Sequence, residues 1–209
     1  MRTLGVTGSV GTGKSTVSRM LERLGAQRID ADALAHEAIE KNRAPYRAVV
    51  RCFGRAILRK DGSIDRRRLA QIVFKDEKKL KELNRMIHPY ILRRMREEIR
   101  RIRQKKRGSE IVVEVPLLHE KRLGKMFDHV VTVSCRRPIQ RERWLKRGGS
   151  SKELQRRMTV QLPLSYKERQ SDFIIDNNGS VRETHAQVVA VWKAVHRDQR
   201  KEPRWQIKK

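Results

Sequence analysis

Only two cysteines, Cys52 and Cys135, occur in 209 residues. They show neither a C-x-x-C arrangement nor a metal-ligand spacing, which excludes a disulfide scaffold and a cysteine-based zinc site and leaves both thiols as small packed residues of a reducing compartment. No stretch reaches the ~18–20 consecutive apolar residues that a membrane-spanning helix needs, and the opening MRTLGVTGSVG holds no apolar core of a signal peptide. A cytoplasmic protein with no membrane partner is therefore expected. Aromatic residues make up 5%, too few for a visible platform on which bases stack, so no specific nucleic-acid partner is expected. Acidic residues are scarce as well: 24 against 51 Lys plus Arg, for a net charge of +27. Such an excess attracts phosphates, whether on nucleic acid, anionic lipid or a polyphosphate substrate. The 33 arginines are spread along the chain, so part of the charge is background.

The apolar residues that are present are periodic. Residues 2–7 read as a short buried strand. Val17, Met20, Leu21 and Leu24 follow at helical spacing, with Gly25 placed as a C-terminal cap. A second strand, Gln27 to Ile29, runs into Asp30-Ala31-Asp32. From there to Arg107 the pattern is helical. Pro45 opens a helix that ends near Phe53-Gly54, Asp61-Gly62 turns the chain, and Asp65 caps a helix bearing Leu69, Ile72 and Val73. Leu80, Leu83 and Ile87 mark a helix that His88-Pro89 is expected to stop, because a residue before proline is driven from the helical region. Pro89 then opens a long helix with Leu92, Met95, Ile99 and Ile102 on one stripe. His88 is read as a structural hydrogen-bonding group.

Residues 111–115 and 129–133 are near-continuous β-branched runs, as in strands buried on both faces. Pro138 starts a basic helix through Arg147, Gly148-Gly149 break it, and Ser150 with Glu153 spells a capping box for the next. Phe173 to Ile175 is a fifth strand, closed by an Asn177-Asn178-Gly179 turn. Val181, Val188, Val191 and Val195 define a last helix, and 201–209 read as a flexible basic tail. Strands separated by helices predict an α/β fold: a five-stranded parallel sheet flanked by helices.

Gly8-Ser9-Val10-Gly11-Thr12-Gly13-Lys14-Ser15 satisfies G-x-x-x-x-G-K-[ST] between a predicted strand and a predicted helix, the setting of a P-loop. Its glycines let backbone N–H groups point at phosphate oxygens, and the helix start adds partial positive charge. Lys14 would span the β- and γ-phosphates, and Ser15 would place its hydroxyl on Mg²⁺. Asp30 and Asp32 close the second strand, where an α/β sheet puts its ligand crevice. Asp32 is the candidate general base and Asp30 a cap or orienting neighbour. Glu114, near the tip of the third strand, suits either a water-mediated metal contact or an ordinary edge or salt-bridge role. Residues 136–157 carry nine basic side chains against two acidic ones. Arg141, Arg147 and Arg157 are candidates to neutralise a transferring phosphoryl group from a closing lid. Asp176-Asn177-Asn178-Gly179 spells the D-x-x-G of GTPases but lies after the last strand, and no N-K-x-D guanine motif accompanies it.

These residues resemble the dephospho-CoA kinase family: GVTGSVGTGKST at 5–16, IDADALAHE at 29–37, IHP at 87–89, VPLLHE at 115–120 and QLPLSYKERQSDFIIDNNG at 161–179 follow in that family's order. The resemblance implies ATP-dependent phosphorylation of the ribose 3′-hydroxyl of 3′-dephospho-CoA with Mg²⁺, completing coenzyme A synthesis, by a monomer or small homo-oligomer. It implies a P-loop core over 1–31, 108–135 and 162–200, a helical CoA-binding subdomain over 32–107 and a lid over 136–161. It places ATP against Gly8, Gly11, Thr12, Gly13, Lys14, Ser15 and Thr16, and the base on Asp32. Ser9 departs from the glycine usual at its position. A P-loop kinase for another nucleoside or nucleotide, and a nucleic-acid-binding protein on a nucleotide fold, stay open on the residues alone.

Overall fold

The computed structural model describes residues 1–105 and 108–197; the tail expected over 201–209 lies outside the described residues. Five strands, β1 (Thr3–Thr7), β2 (Gln27–Asp30), β3 (Ile111–Glu114), β4 (His129–Ser134) and β5 (Phe173–Asp176), form one sheet in the order β2-β3-β1-β4-β5, every pair parallel. The three central strands are almost wholly buried, which is why their sequences are continuous apolar runs rather than alternating ones.

The chain divides into two compact units: Met1–Asp30 with Ile102–Lys209, and Ala31–Arg101. In the first, α1 (Lys14–Arg23) and α9 (Val181–Arg197) share a core with the sheet: Leu4, Val6, Val17, Leu21, Val131, Val133, Ile175, Val188 and Val195. The buried face of α9 is Thr184, Val188, Val191 and Val195, whereas Val181 is 71% exposed. The valine pattern thus placed that helix correctly but started its buried face one turn early. A hydroxyl bonded to Asn177 fills the position instead.

The second unit holds α2 (Ala31–Ala38), α3 (Ala44–Phe53), α4 (Arg66–Val73) and most of α5 (Glu77–Lys105). Asp65 caps α4 by accepting from the Arg67 and Arg68 amides. The expected break at His88-Pro89 is absent: α5 runs through Pro89. Leu83, Ile87 and Tyr90, at i, i+4 and i+7, are all buried in one cluster with Val49, Ile57, Leu69 and Val73. Ending the helix at Pro89 would turn that stripe out of phase with its partners. Packing on both sides of the proline therefore outweighs the lost ladder bond and the steric cost of the ring, together ~3 kcal/mol.

Between β4 and β5 lie α6 (Arg137–Lys146), α7 (Ser151–Thr159) and α8 (Leu164–Arg169). Gly148, at φ 79°, takes the left-handed conformation that ends α6. A Cβ on Gly149 would lie 2.2 Å from the Trp144 indole, whose Nε1 donates to the Ser150 carbonyl. Only half the expected capping box forms: Ser150 Oγ accepts the Glu153 amide, while the Glu153 carboxylate takes Arg157 Nε and Nη2.

Candidate active site

The P-loop leaves β1 at Thr7 and enters α1 at Lys14, and each of its glycines is pressed against a different element. Added Cβ atoms would meet the Val133 carbonyl of β4 at 2.5 Å from Gly8, the Gln140 carbonyl of α6 at 2.6 Å from Gly11, and Asn177 Nδ2 at 2.1 Å from Gly13. All three also have positive φ, at 147°, 78° and 95°. Side chains are excluded there both by torsion and by space. Thr12 Oγ1 and Lys14 Nζ each donate to the Ser9 carbonyl at 2.9 Å. Ser9 itself is buried. Thr16 sits in the first turn of α1, its amide bonded to the Gly13 carbonyl.

Ser15 Oγ donates to Glu114 Oε1 at 2.7 Å. Glu114 is buried, and β3 lies inside the sheet between β2 and β1, so this acid is not on an edge, although it does form a salt bridge. Its second oxygen takes Arg28 Nη1 at 3.3 Å, and the same guanidinium reaches Asp30 Oδ2 at 3.7 Å. Asp30 stands level with Glu114 in the β2–β3 register. Asp32 follows two residues later in the first turn of α2, exposed to solvent.

A cavity of about 720 Å³ lies among the P-loop, the end of β4 and the two helices after it, lined by Ser9, Cys135, Gln140, Arg141, Met158 and Gln161 among others. Arg141 and Arg137 border it. Arg147 caps the exposed end of α6. Arg157 is bound to Glu153 and stacks over Trp144, its Cζ 5.2 Å from the ring centroid, which braces α6 against α7. Arg143 also approaches the loop, its Nη1 3.8 Å from where a Gly13 Cβ would stand and 3.7 Å from Cys135 Sγ. Burial raises the Cys135 thiol above its ordinary pKa, in keeping with its expected role as a packed residue, whereas Cys52 is exposed, contrary to that expectation.

Two polar side chains at the site were not singled out by the sequence reading. Asn177 Nδ2 donates to the Thr12 carbonyl at 2.7 Å, and its Oδ1 accepts from Thr184 Oγ1. Gln161 Oε1 accepts the Val10 amide at 3.2 Å. The first lies in a segment read as a turn; the second follows a helix whose charge drew attention instead.

The dephospho-CoA kinase family model matches residues 2–183. A dephospho-CoA kinase of Aquifex aeolicus is 40% identical over 199 residues, covering 95% of this chain and 100% of the relative. That of Symbiobacterium thermophilum is 39% identical, covering 93% and 81%. Among solved structures, a Thermus thermophilus protein superposes with a TM-score of 0.79 at 30% identity, covering 93% of this chain and 97% of the other. A dephospho-CoA kinase from Campylobacter jejuni gives 0.69 at 26%, covering 92% and 96%. Shikimate kinase from Acinetobacter baumannii, at 14% identity and a TM-score of 0.55, shares the fold alone.

Proposed function

The chain belongs to the dephospho-CoA kinase family, and from that premise we propose how its residues divide the work. The reaction is ATP-dependent phosphorylation of the 3′-hydroxyl of dephospho-CoA, yielding coenzyme A and ADP. The observation that carries the assignment of roles is the P-loop, whose three glycines are each closed against a neighbouring element, with Ser15 bonded to a buried carboxylate. Backbone amides from Gly11 to Thr16 surround the ATP phosphates, and Lys14 leaves the Ser9 carbonyl to span the β- and γ-phosphates.

As the 3′-oxygen forms its bond to the γ-phosphorus and the bond to ADP breaks, Asp32 accepts the hydroxyl proton. A general base of this kind needs reach more than an unusual pKa. Residues 32–107 hold the CoA moiety, and 136–161 close over the nucleotide, with Arg141 and the unforeseen Arg143 offsetting phosphoryl charge and excluding water. Arg147 and Arg157 are read as lid residues, Arg157 holding the lid together through Trp144. Ser15 and Glu114 supply hard oxygen atoms side by side, which fits Mg²⁺. Ser15 directly, and Glu114 through water, would hold the ion, which when bound neutralises phosphate charge. A cytoplasmic location accords with the absence of any helix long and apolar enough to cross a membrane among the described residues.

A coupled assay of ADP release with dephospho-CoA against a panel of nucleosides and nucleotides tests the substrate. Release should depend on dephospho-CoA, and a faster reaction with another acceptor would displace it. Lys14→Ala should abolish transfer in the same assay, and surviving activity would remove the P-loop assignment.

A further inference from the structure

The P-loop is gripped from outside by two carboxamides. Asn177 joins it to parts of the sheet unit that lie outside the lid, β5 and, through Thr184, α9. Gln161 joins it to the other side. It follows α7 directly, its own amide bonded to the Met158 carbonyl, and is the last residue of the segment read as the lid.

Beyond Gln161 the chain is tied down at once. The Leu162 amide donates to Glu120 Oε1 at 2.9 Å, and the same oxygen takes Lys167 Nζ at 2.8 Å. Lys167 is fully buried and reaches the Pro116 carbonyl as well, at 3.4 Å, where Thr7 Oγ1 of β1 also donates. A buried charge pair resists separation because either partner alone would be left uncompensated. Gln161 thus stands between a stiff post at 162–167 and the two lid helices.

What it holds is one peptide unit. The Val10 N–H and the Ser9 carbonyl belong to the same planar peptide, so fixing the direction of one fixes the other. The N–H is held by Gln161 Oε1, and the carbonyl is the acceptor on which Lys14 Nζ and Thr12 Oγ1 rest. A side chain at the lid hinge therefore sets the orientation of the group that parks the phosphate-binding lysine. Gln161 and Ser9 line the same cavity.

We propose that Gln161 is a positioning residue for phosphoryl transfer, coupling lid position to Lys14 through the Ser9–Val10 peptide. This rests on the reading of the P-loop as the ATP site and of 136–161 as the lid. Trp144, on α6, is a natural reporter of the lid once Trp192→Phe and Trp205→Phe remove the other two indoles. ADP is titrated by calorimetry and by Trp144 fluorescence, and kcat is measured by ADP release.

In the Gln161→Leu variant, ADP should still bind, while the Trp144 response falls by more than about half and kcat drops about tenfold, the scale of one lost hydrogen bond. Gln161→Asn, which keeps the carboxamide but is one methylene short, should behave the same way and serves if the leucine variant melts early. A full Trp144 response with kcat within about twofold of the parent overturns the proposal, since a lost bond of this size should show. So does a parent that binds ADP with no Trp144 change. A parent that binds no ADP at all instead removes the nucleotide reading beneath it.

Discussion

Asp32→Asn keeps the shape of the proposed base and removes only its capacity to accept a proton. The expected result is a kcat lowered ~10²–10⁴-fold, the usual worth of general-base catalysis, with ADP affinity unchanged by calorimetry; unchanged turnover would end its role as base. His119 offers a residue-scale test of stability. Burial, and after it the nearby Lys167 ammonium, push the imidazole below its ordinary pKa, against a smaller opposing pull from Glu120. The folded protein therefore favours the neutral ring. The stability this contributes is complete above about pH 6.5, the unfolded value, and is lost as pH falls from there through the lower folded value. Melting temperatures of His119→Gln should fall less steeply between about pH 7 and 5 than those of the parent; parallel slopes would dismiss the effect. Lys14 and Ser15 became candidates in the sequence because the P-loop spacing carries a known chemistry, and Asp32 because it follows the second strand. Asn177 and Gln161 were not, since a carboxamide gains a role only from the backbone group it happens to face.

Helix and strand placement followed periodicity closely. The first helix, the caps at Asp65 and Ser150 and all five strands appear where apolar spacing and turn residues put them. Pro89 did not end α5, because the helix-stop rule is local while the Leu83-Ile87-Tyr90 stripe is held by partners far away in sequence. A full capping box at the start of α9 went unread although its S-x-x-E spelling was present. Ser180 and Glu183 exchange amide and side-chain bonds, and those bonds from Ser180 hold the Glu183 carboxyl below its usual pKa. The α6–α7 turn supplies the prediction at this scale. Gly149→Ala must displace Trp144 from the Ser150 carbonyl and from Arg157. A loss of about 1 kcal/mol or more, typical of overpacking, is expected in chemical denaturation, and an unaltered midpoint would mean the indole moves freely.

For the whole molecule, the net charge of +27 is the dominant property. Two polyphosphate substrates account for a basic cleft, yet not for a surplus this large. Some of the arginines are committed to ion pairs. Arg94 contacts Glu97, Glu37 and Glu98, and the bond to Glu97 first, with the Glu37 and Glu98 carboxylates after it, raises the Arg94 pKa further; Arg43 joins at Glu37 and Arg101 at Glu98. Networks of this kind count for more at high temperature than at 25 °C. The net positive surplus repels itself. Raising NaCl from about 0.05 to 0.5 M should therefore increase the melting temperature, because screening relieves long-range repulsion more than it weakens close, partly buried pairs. A melting temperature that falls with salt would show the networks to dominate.

The sequence by itself determined the P-loop spelling over Gly8–Ser15, its setting between a strand and a helix, and that a parallel sheet carries that loop. Those conclusions depend on residue type and short-range spacing, both of which are written along the chain. Only the tertiary structure decided which strand adjoins which, that Glu114 meets Ser15, that Arg143 approaches the loop, and that Gln161 and Asn177 hold the loop from either side. The Glu114, Gln161 and Asn177 contacts join residues roughly 100 to 165 positions apart, where no periodicity reaches and only the packing of the sheet and its helices brings the partners together.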